Sequence, residues 1–173
     1  MIFVALLHAV NLGARRKVPM ADLRALLSSL GLEGVRTYIQ SGNAVFGAGP
    51  DPALRGRLEA ALEAQFGFPV PVTLRTAHEW REAARDCPAH LRDEAVVLAF
   101  LRDPPDPARV AALRGRDVAP ERWEIVGQTL CQTVPDGVRN MKLSSGVIER
   151  TLGVKVTVRN ERTVQAIAAM LDT

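Results

Sequence analysis

Cysteine, lysine and aromatic side chains are all scarce in this chain, and each scarcity excludes something. Its only cysteines, Cys87 and Cys131, stand 44 positions apart with no second Cys or His at zinc-ligand spacing. No disulfide framework and no metal site is therefore expected, and the pattern suits two free thiols in a reducing compartment. The three histidines, His8, His78 and His90, have no metal spacing either. Five Phe, two Trp and one Tyr among 173 residues are too few to line an RNA-binding sheet face with stacking platforms. Lysine occurs only at 17, 142 and 155, so nearly all positive charge is arginine. With 22 Lys plus Arg against 19 Asp plus Glu, the net charge of +3 is too small to mark a nucleic-acid binder. The apolar opening Met1–Leu12 is shorter than a membrane span and lacks the basic start and cleavage site of a leader. It reads as a strand, and the expected location is the cytoplasm, with no membrane association.

What is present is the composition of an ordinary globular protein, 47% hydrophobic and 24% charged. A chain of this length buries roughly 70% of its extended surface and needs no staple to fold. Ile2–Leu7 is a continuous apolar run, as in a central strand covered on both faces. After a polar stretch, His8 to Lys17, Pro19 suits a helix start, and Met20, Leu23, Leu26, Leu27 and Leu30 recur at helical spacing up to Gly31. Val35–Gln40 alternates as a strand, Ser41-Gly42-Asn43 reads as a tight turn, and Ala44–Phe46 returns. Asp51-Pro52 opens the next helix, striped by Leu54, Leu58, Leu62 and Phe66, and Val70–Leu74 is a strand.

The second half repeats this order. Thr76 and Glu79 form a capping box for a linking helix that includes Trp80, Ala83 and Ala84, followed by a connector from Cys87-Pro88 to Arg92. Ala95–Leu101, Arg122–Val126, Thr129–Val134 and Val154–Val158 read as strands. Helices open at Asp106-Pro107, span Leu143–Leu152, and follow Asn160. The expected fold class is α+β: two tandem ferredoxin-like βαββαβ halves, 1–75 and 94–173, with a linking helix and connector over 76–93 and a C-terminal helix. No letter-level repeat accompanies this repetition of architecture.

The string Val35-Arg36-Thr37-Tyr38-Ile39-Gln40-Ser41-Gly42-Asn43, with Asn11-Leu12-Gly13 and Val18–Leu23 before it, resembles the bacterial domain-of-unknown-function family 1697. Weaker matches are Lys142-Leu143, Glu149–Gly153 and Thr157-Val158-Arg159-Asn160. The resemblance implies two ferredoxin-like halves and no established activity. The chain departs from the family at His8-Ala9, where relatives carry Arg-Gly, and at Glu161, where they carry Trp. It departs again at Arg139-Asn140-Met141, where they carry Gly, Arg and Ser. If those positions form a ligand site in relatives, that site is expected to be altered or lost here.

In a βαββαβ unit the loop after the first strand and the following hairpin share one sheet edge. That topology sets Asn11, Gly13, Arg15, Arg16 and Lys17 beside Ser41, Gly42 and Asn43. Backbone N–H groups before a helix and the adjoining cations suit an anion, such as a phosphorylated metabolite. The competing reading is purely structural: glycines that permit turns, Ser41 and Asn43 bonded to their own backbone, a solvated basic run. By the same reasoning Arg139, Lys142, Arg159 and Asn160 form a second cationic spot, unless Asn160 caps the final helix and Lys142 is merely exposed. Neither a Walker loop nor a dinucleotide fingerprint is present, and no cofactor is assigned. An enzyme reading would use His8, Ser41 and Asn43 for acid–base or nucleophilic work. RNA binding across the sheet, with Tyr38 and Phe46 nearest the hairpin, is a further alternative. Oligomeric state is not legible.

Overall fold

A computed structural model describes residues 1–173. Eight strands and six α-helices follow one another as β1 (Ile2–Leu7), α1 (Met20–Ser29), β2 (Glu33–Tyr38), β3 (Asn43–Gly47), α2 (Leu54–Phe66), β4 (Val72–Thr76), α3 (Ala77–Asp86), β5 (Val96–Leu101), α4 (Pro107–Arg114), β6 (Trp123–Val126), β7 (Thr129–Thr133), α5 (Ser145–Leu152), β8 (Val156–Asn160) and α6 (Glu161–Met170). They build two four-stranded antiparallel sheets, ordered β2-β3-β1-β4 and β6-β7-β5-β8. The chain divides into two compact units, Met1–Arg81 with Ile167–Thr173, and Glu82–Ala166. The division falls inside α3 and α6.

In the first unit β1 is central. It pairs antiparallel with β3 (Val4↔Val45) and β4 (Val4↔Arg75). Alternation along β1 sends Ala5 and Leu7 into a core with Leu23 and Leu27 of α1 and Leu54, Leu58 and Leu62 of α2. Val4 and Leu6, on the other face, are buried as well, which is why the strand reads as an unbroken apolar run. In the second unit β5 plays the same part: Ala99 and Leu101 pack with Leu113, Leu130, Ile148 and Leu152. Leu98 and Phe100 are buried on the opposite face.

Several starts and stops follow their chemistry. Asp106 and Ser144 accept hydrogen bonds from Ala108 and Val147 N–H as N-caps of α4 and α5. Thr76 and Glu79 bond reciprocally: Thr76 N–H reaches Glu79 Oε2 at 2.7 Å and Glu79 N–H reaches Thr76 Oγ1 at 3.2 Å. Both α2 and α5 end on a left-handed glycine, Gly67 and Gly153. The buried carboxylate of Glu121 accepts the consecutive N–H groups of Lys142 and Leu143, the latter at 2.9 Å, and so fastens the turn ahead of α5. An anchor of this kind contributes about 1–3 kcal/mol, because its loss strands buried donors.

Several boundaries differ from expectation. The strand expected over 35–40 is Glu33–Tyr38, and the bend is Ile39–Gly42, because Ile39 takes φ +49° and leaves the extended region. Asn43, expected in the turn, opens β3. Helix α2 begins at Leu54 rather than at Asp51-Pro52, since the Asp51 carboxylate turns back onto Ala53 N–H at 2.9 Å. Strand β4 starts at Val72 and not Val70: Pro69 and Pro71 have no N–H to give a ladder. Leu143 precedes α5 as a fully buried anchor, with helix proper from Ser145.

Candidate functional site

Two segments meet at the edge of the first sheet where β1 ends and β3 begins. Leu7 N–H donates to Gly42 O at 2.8 Å. Asn11 then ties the loop to the hairpin: its Nδ2 donates to Gln40 O at 2.7 Å and to Val18 O at 2.8 Å, while its Oδ1 accepts Val18 N–H at 2.8 Å. One amide thus spans the loop mouth and grips the hairpin. Gly42 is required at its place. Its φ is +83°, and a Cβ there would lie 2.8 Å from both Leu7 Cβ and Val10 Cγ2.

The loop itself is wound tightly. Ala9, Asn11 and Arg16 have φ of +53°, +56° and +55°, and Gly13 has +71°. Left-handed non-glycine residues cost energy unless their surroundings hold them. Here Asn11 N–H bonds Arg16 O at 3.0 Å, closing the loop into a ring. Arg16 completes the closure. Its Nε donates to Ala9 O at 2.7 Å, its Nη2 to Pro69 O at 2.8 Å, and its guanidinium carbon lies 4.8 Å from the Phe68 ring centroid. Arg16, expected as a ligand cation, is therefore a structural clamp.

Arg15 and Lys17 differ. Both side chains are exposed and make no hydrogen bond or ion pair. Beyond them α1 starts at Met20, and no side chain caps it. An uncapped helix start leaves first-turn N–H groups open, although Asp22 in that turn already brings one negative charge. This edge therefore combines two uncommitted cations, a left-handed loop and an uncapped helix start.

His8, Ser41 and Asn43 are engaged. His8 is 5% exposed, its Nε2 is 2.7 Å from Thr73 Oγ1, and its backbone N–H bonds Pro71 O. Asn43 Nδ2 donates to Tyr38 O at 3.0 Å and to Ser41 Oγ at 2.8 Å. The hydroxyl and amide thus stabilise the hairpin that carries them. Phe46 is 1% exposed and stacks on Phe3, ring centroids 6.1 Å apart, so it offers no open platform for a base.

The residues of the second cationic spot serve separate tasks. Arg159 is buried within β8, where its Nη1 donates to Thr157 Oγ1 at 2.6 Å and Val158 O at 3.0 Å. Burial lowers its pKa to about 10. Lys142 Nζ donates to Ala119 O, and Asn160 Oδ1 accepts Thr163 N–H at 2.8 Å, capping α6. Arg139 stays exposed on a short 3-10 turn, Val138–Asn140. Arg75, one residue before the end of β4, repeats the Arg159 arrangement. It too is buried, with Nη1 on the Leu74 carbonyl at 3.1 Å and a pKa lowered chiefly by burial. Sequence reasoning missed the His8–Thr73 pairing, for which a separation of 65 positions leaves no local signal. It also missed Ile39, whose left-handed backbone has no sequence signature in a β-branched residue.

Among described groups of His, Cys, Asp and Glu, none of three or more is placed to hold a metal ion. No helix is long and apolar enough to cross a membrane. A conserved bacterial protein from Streptococcus pneumoniae has a solved structure similar to this one. It is 23% identical, covers 98% of both chains and superposes with a TM-score of 0.80, a likeness of fold. No curated protein matches the sequence. The family described as "Protein of unknown function (DUF1697)" matches residues 1–130, three quarters of the length and the whole of the loop and hairpin just described; the chain belongs to that family.

Proposed function

We propose that this protein binds a small anionic ligand, of the phosphorylated-metabolite class, where loop 11–17 meets the Ile39–Asn43 hairpin. The observation that carries the reading is the uncommitted state of Arg15 and Lys17 beside a loop fixed from within by Asn11 and Arg16. Rigid backbone with free cations recognises an anion without first having to order itself. The enzyme alternative draws no such support, since His8 is buried on Thr73. A cytoplasmic location accords with two buried, unpaired cysteines.

We further infer that the two units are a ferredoxin-like duplication. Equal strand order supports this, as do paired details: Glu59 and Glu149 each accept the first N–H of the last strand of their unit, from Val72 at 3.2 Å and Val156 at 2.9 Å. Arg75 and Arg159 occupy the same place in that strand.

Isothermal titration with inorganic phosphate and a panel of phosphorylated metabolites tests the binding reading. Because charge-assisted hydrogen bonds contribute about 1.5–3 kcal/mol each, Arg15→Ala/Lys17→Ala is expected to weaken binding at least about tenfold. Its thermal midpoint should stay unchanged. Equal affinity in wild type and double variant would refute the site.

A further inference from the structure

We infer that the ligand is an amphiphilic anion, a phosphate-type head joined to a short apolar group that rests on Leu12 and Ile39; this rests on the anion reading above. Leu12 is 71% and Ile39 51% exposed, two of the few large apolar side chains left in water. They stand on the two segments that Asn11 joins: Leu12 follows Asn11, and Ile39 precedes Gln40, whose carbonyl Asn11 holds at 2.7 Å.

Ile39 is anomalous twice over. A β-branched residue at φ +49° is a steric outlier, where Asn or Gly would sit with less strain. Such strain is tolerated where packing holds the side chain, but half of this one faces solvent. Within the folded chain the isoleucine thus brings strain while leaving about half of its surface in water. Strained backbone of this kind concentrates at ligand-gripping positions. The cations Arg15 and Lys17 lie on the same loop as Leu12, free of partners. Charge complementarity therefore sets the sign of the ligand, and the two side chains set its second feature. Two residues cover a group of a few carbons, which fits a small molecule.

The experiment titrates wild type with inorganic, methyl, butyl and hexyl phosphate, all in monomeric solution. Affinity is expected to rise by about twofold per methylene, roughly half the value for full burial. Ile39→Asn is expected to raise the thermal midpoint by about 2–4 °C through relief of strain. It should also flatten the chain-length series while leaving inorganic phosphate affinity within about twofold. A flat series in wild type, with phosphate still bound, overturns this inference and leaves the anion reading standing. No binding by any probe overturns both. Sedimentation with phosphatidylglycerol vesicles, reduced by Ile39→Asn and paired with a flat soluble series, would assign the head group to a lipid surface and overturn the small-molecule proposal.

Discussion

At the scale of single residues, local chemistry and tertiary placement divide the polar side chains between them. Asn11 and Arg16 share one loop with Arg15 and Lys17, yet the first two are consumed in holding backbone carbonyls and the second two are not. Nothing in the run Arg15-Arg16-Lys17 separates its members. The distinction comes from φ +55° at Arg16, which swings that side chain across the loop toward Ala9 and Pro69. Gly42 is the residue on which the meeting of loop and hairpin depends. Gly42→Ala combines a left-handed φ with a Cβ 2.8 Å from Leu7 and Val10, and both costs apply at once. The substitution is expected to destabilise the fold by about 2–5 kcal/mol, read as a lowered urea midpoint with an unchanged m-value. A midpoint equal to that of wild type would show that the loop and hairpin are not so closely set.

At the scale of elements, helix starts were the most legible features and strand edges the least. Asp106, Asn160 and the Thr76–Glu79 pair act within three residues of themselves, so their letters suffice, whereas Ser144, the cap of α5, lies inside the helix expected over 143–152. Helix α2 shows where such reasoning overreaches. Asp51 caps a turn and binds Arg57 Nη1 at 2.6 Å, three residues ahead of the helix proper. The Arg57 guanidinium, followed by the Ala53 N–H, holds the Asp51 carboxyl below its ordinary value of 3.8. A lowered folded-state pKa stabilises above the unfolded value and is lost as pH falls through the folded one. Wild type is therefore expected to lose stability relative to Asp51→Asn as pH drops below about 4. Thermal midpoints of the two proteins between pH 6 and pH 2 measure this; a constant difference across that range would exclude the linkage.

At the scale of the whole molecule, burial decides which reactive groups the solvent can reach. Cys87 and Cys131 are 3% and 1% exposed. Burial, reinforced by the neighbouring Cys87, pushes the Cys131 thiol well above the ordinary range. Thiolate is the reactive form, so both features slow its chemistry. In the native protein at pH 8 a disulfide reagent is expected to label Cys131 only as fast as the fold opens, with both cysteines reacting at once in denaturant. Prompt stoichiometric labelling of Cys131 without denaturant would contradict its place in the core.

The sequence alone determined the order of elements, because hydrophobic period, glycine stops and capping side chains act over a turn or two of chain. The expected antiparallel return of β3 beside β1 also sets the loop and hairpin on one edge, where Leu7 meets Gly42. Only the tertiary structure decided that Arg16 and Asn43 brace the loop and hairpin while Arg15 and Lys17 remain free, that His8 is turned onto Thr73, and that Ile39 bends out of its strand. Those outcomes rest on contacts between residues far apart in the chain and on backbone angles that the fold imposes. Neither is encoded in the identity of any one side chain.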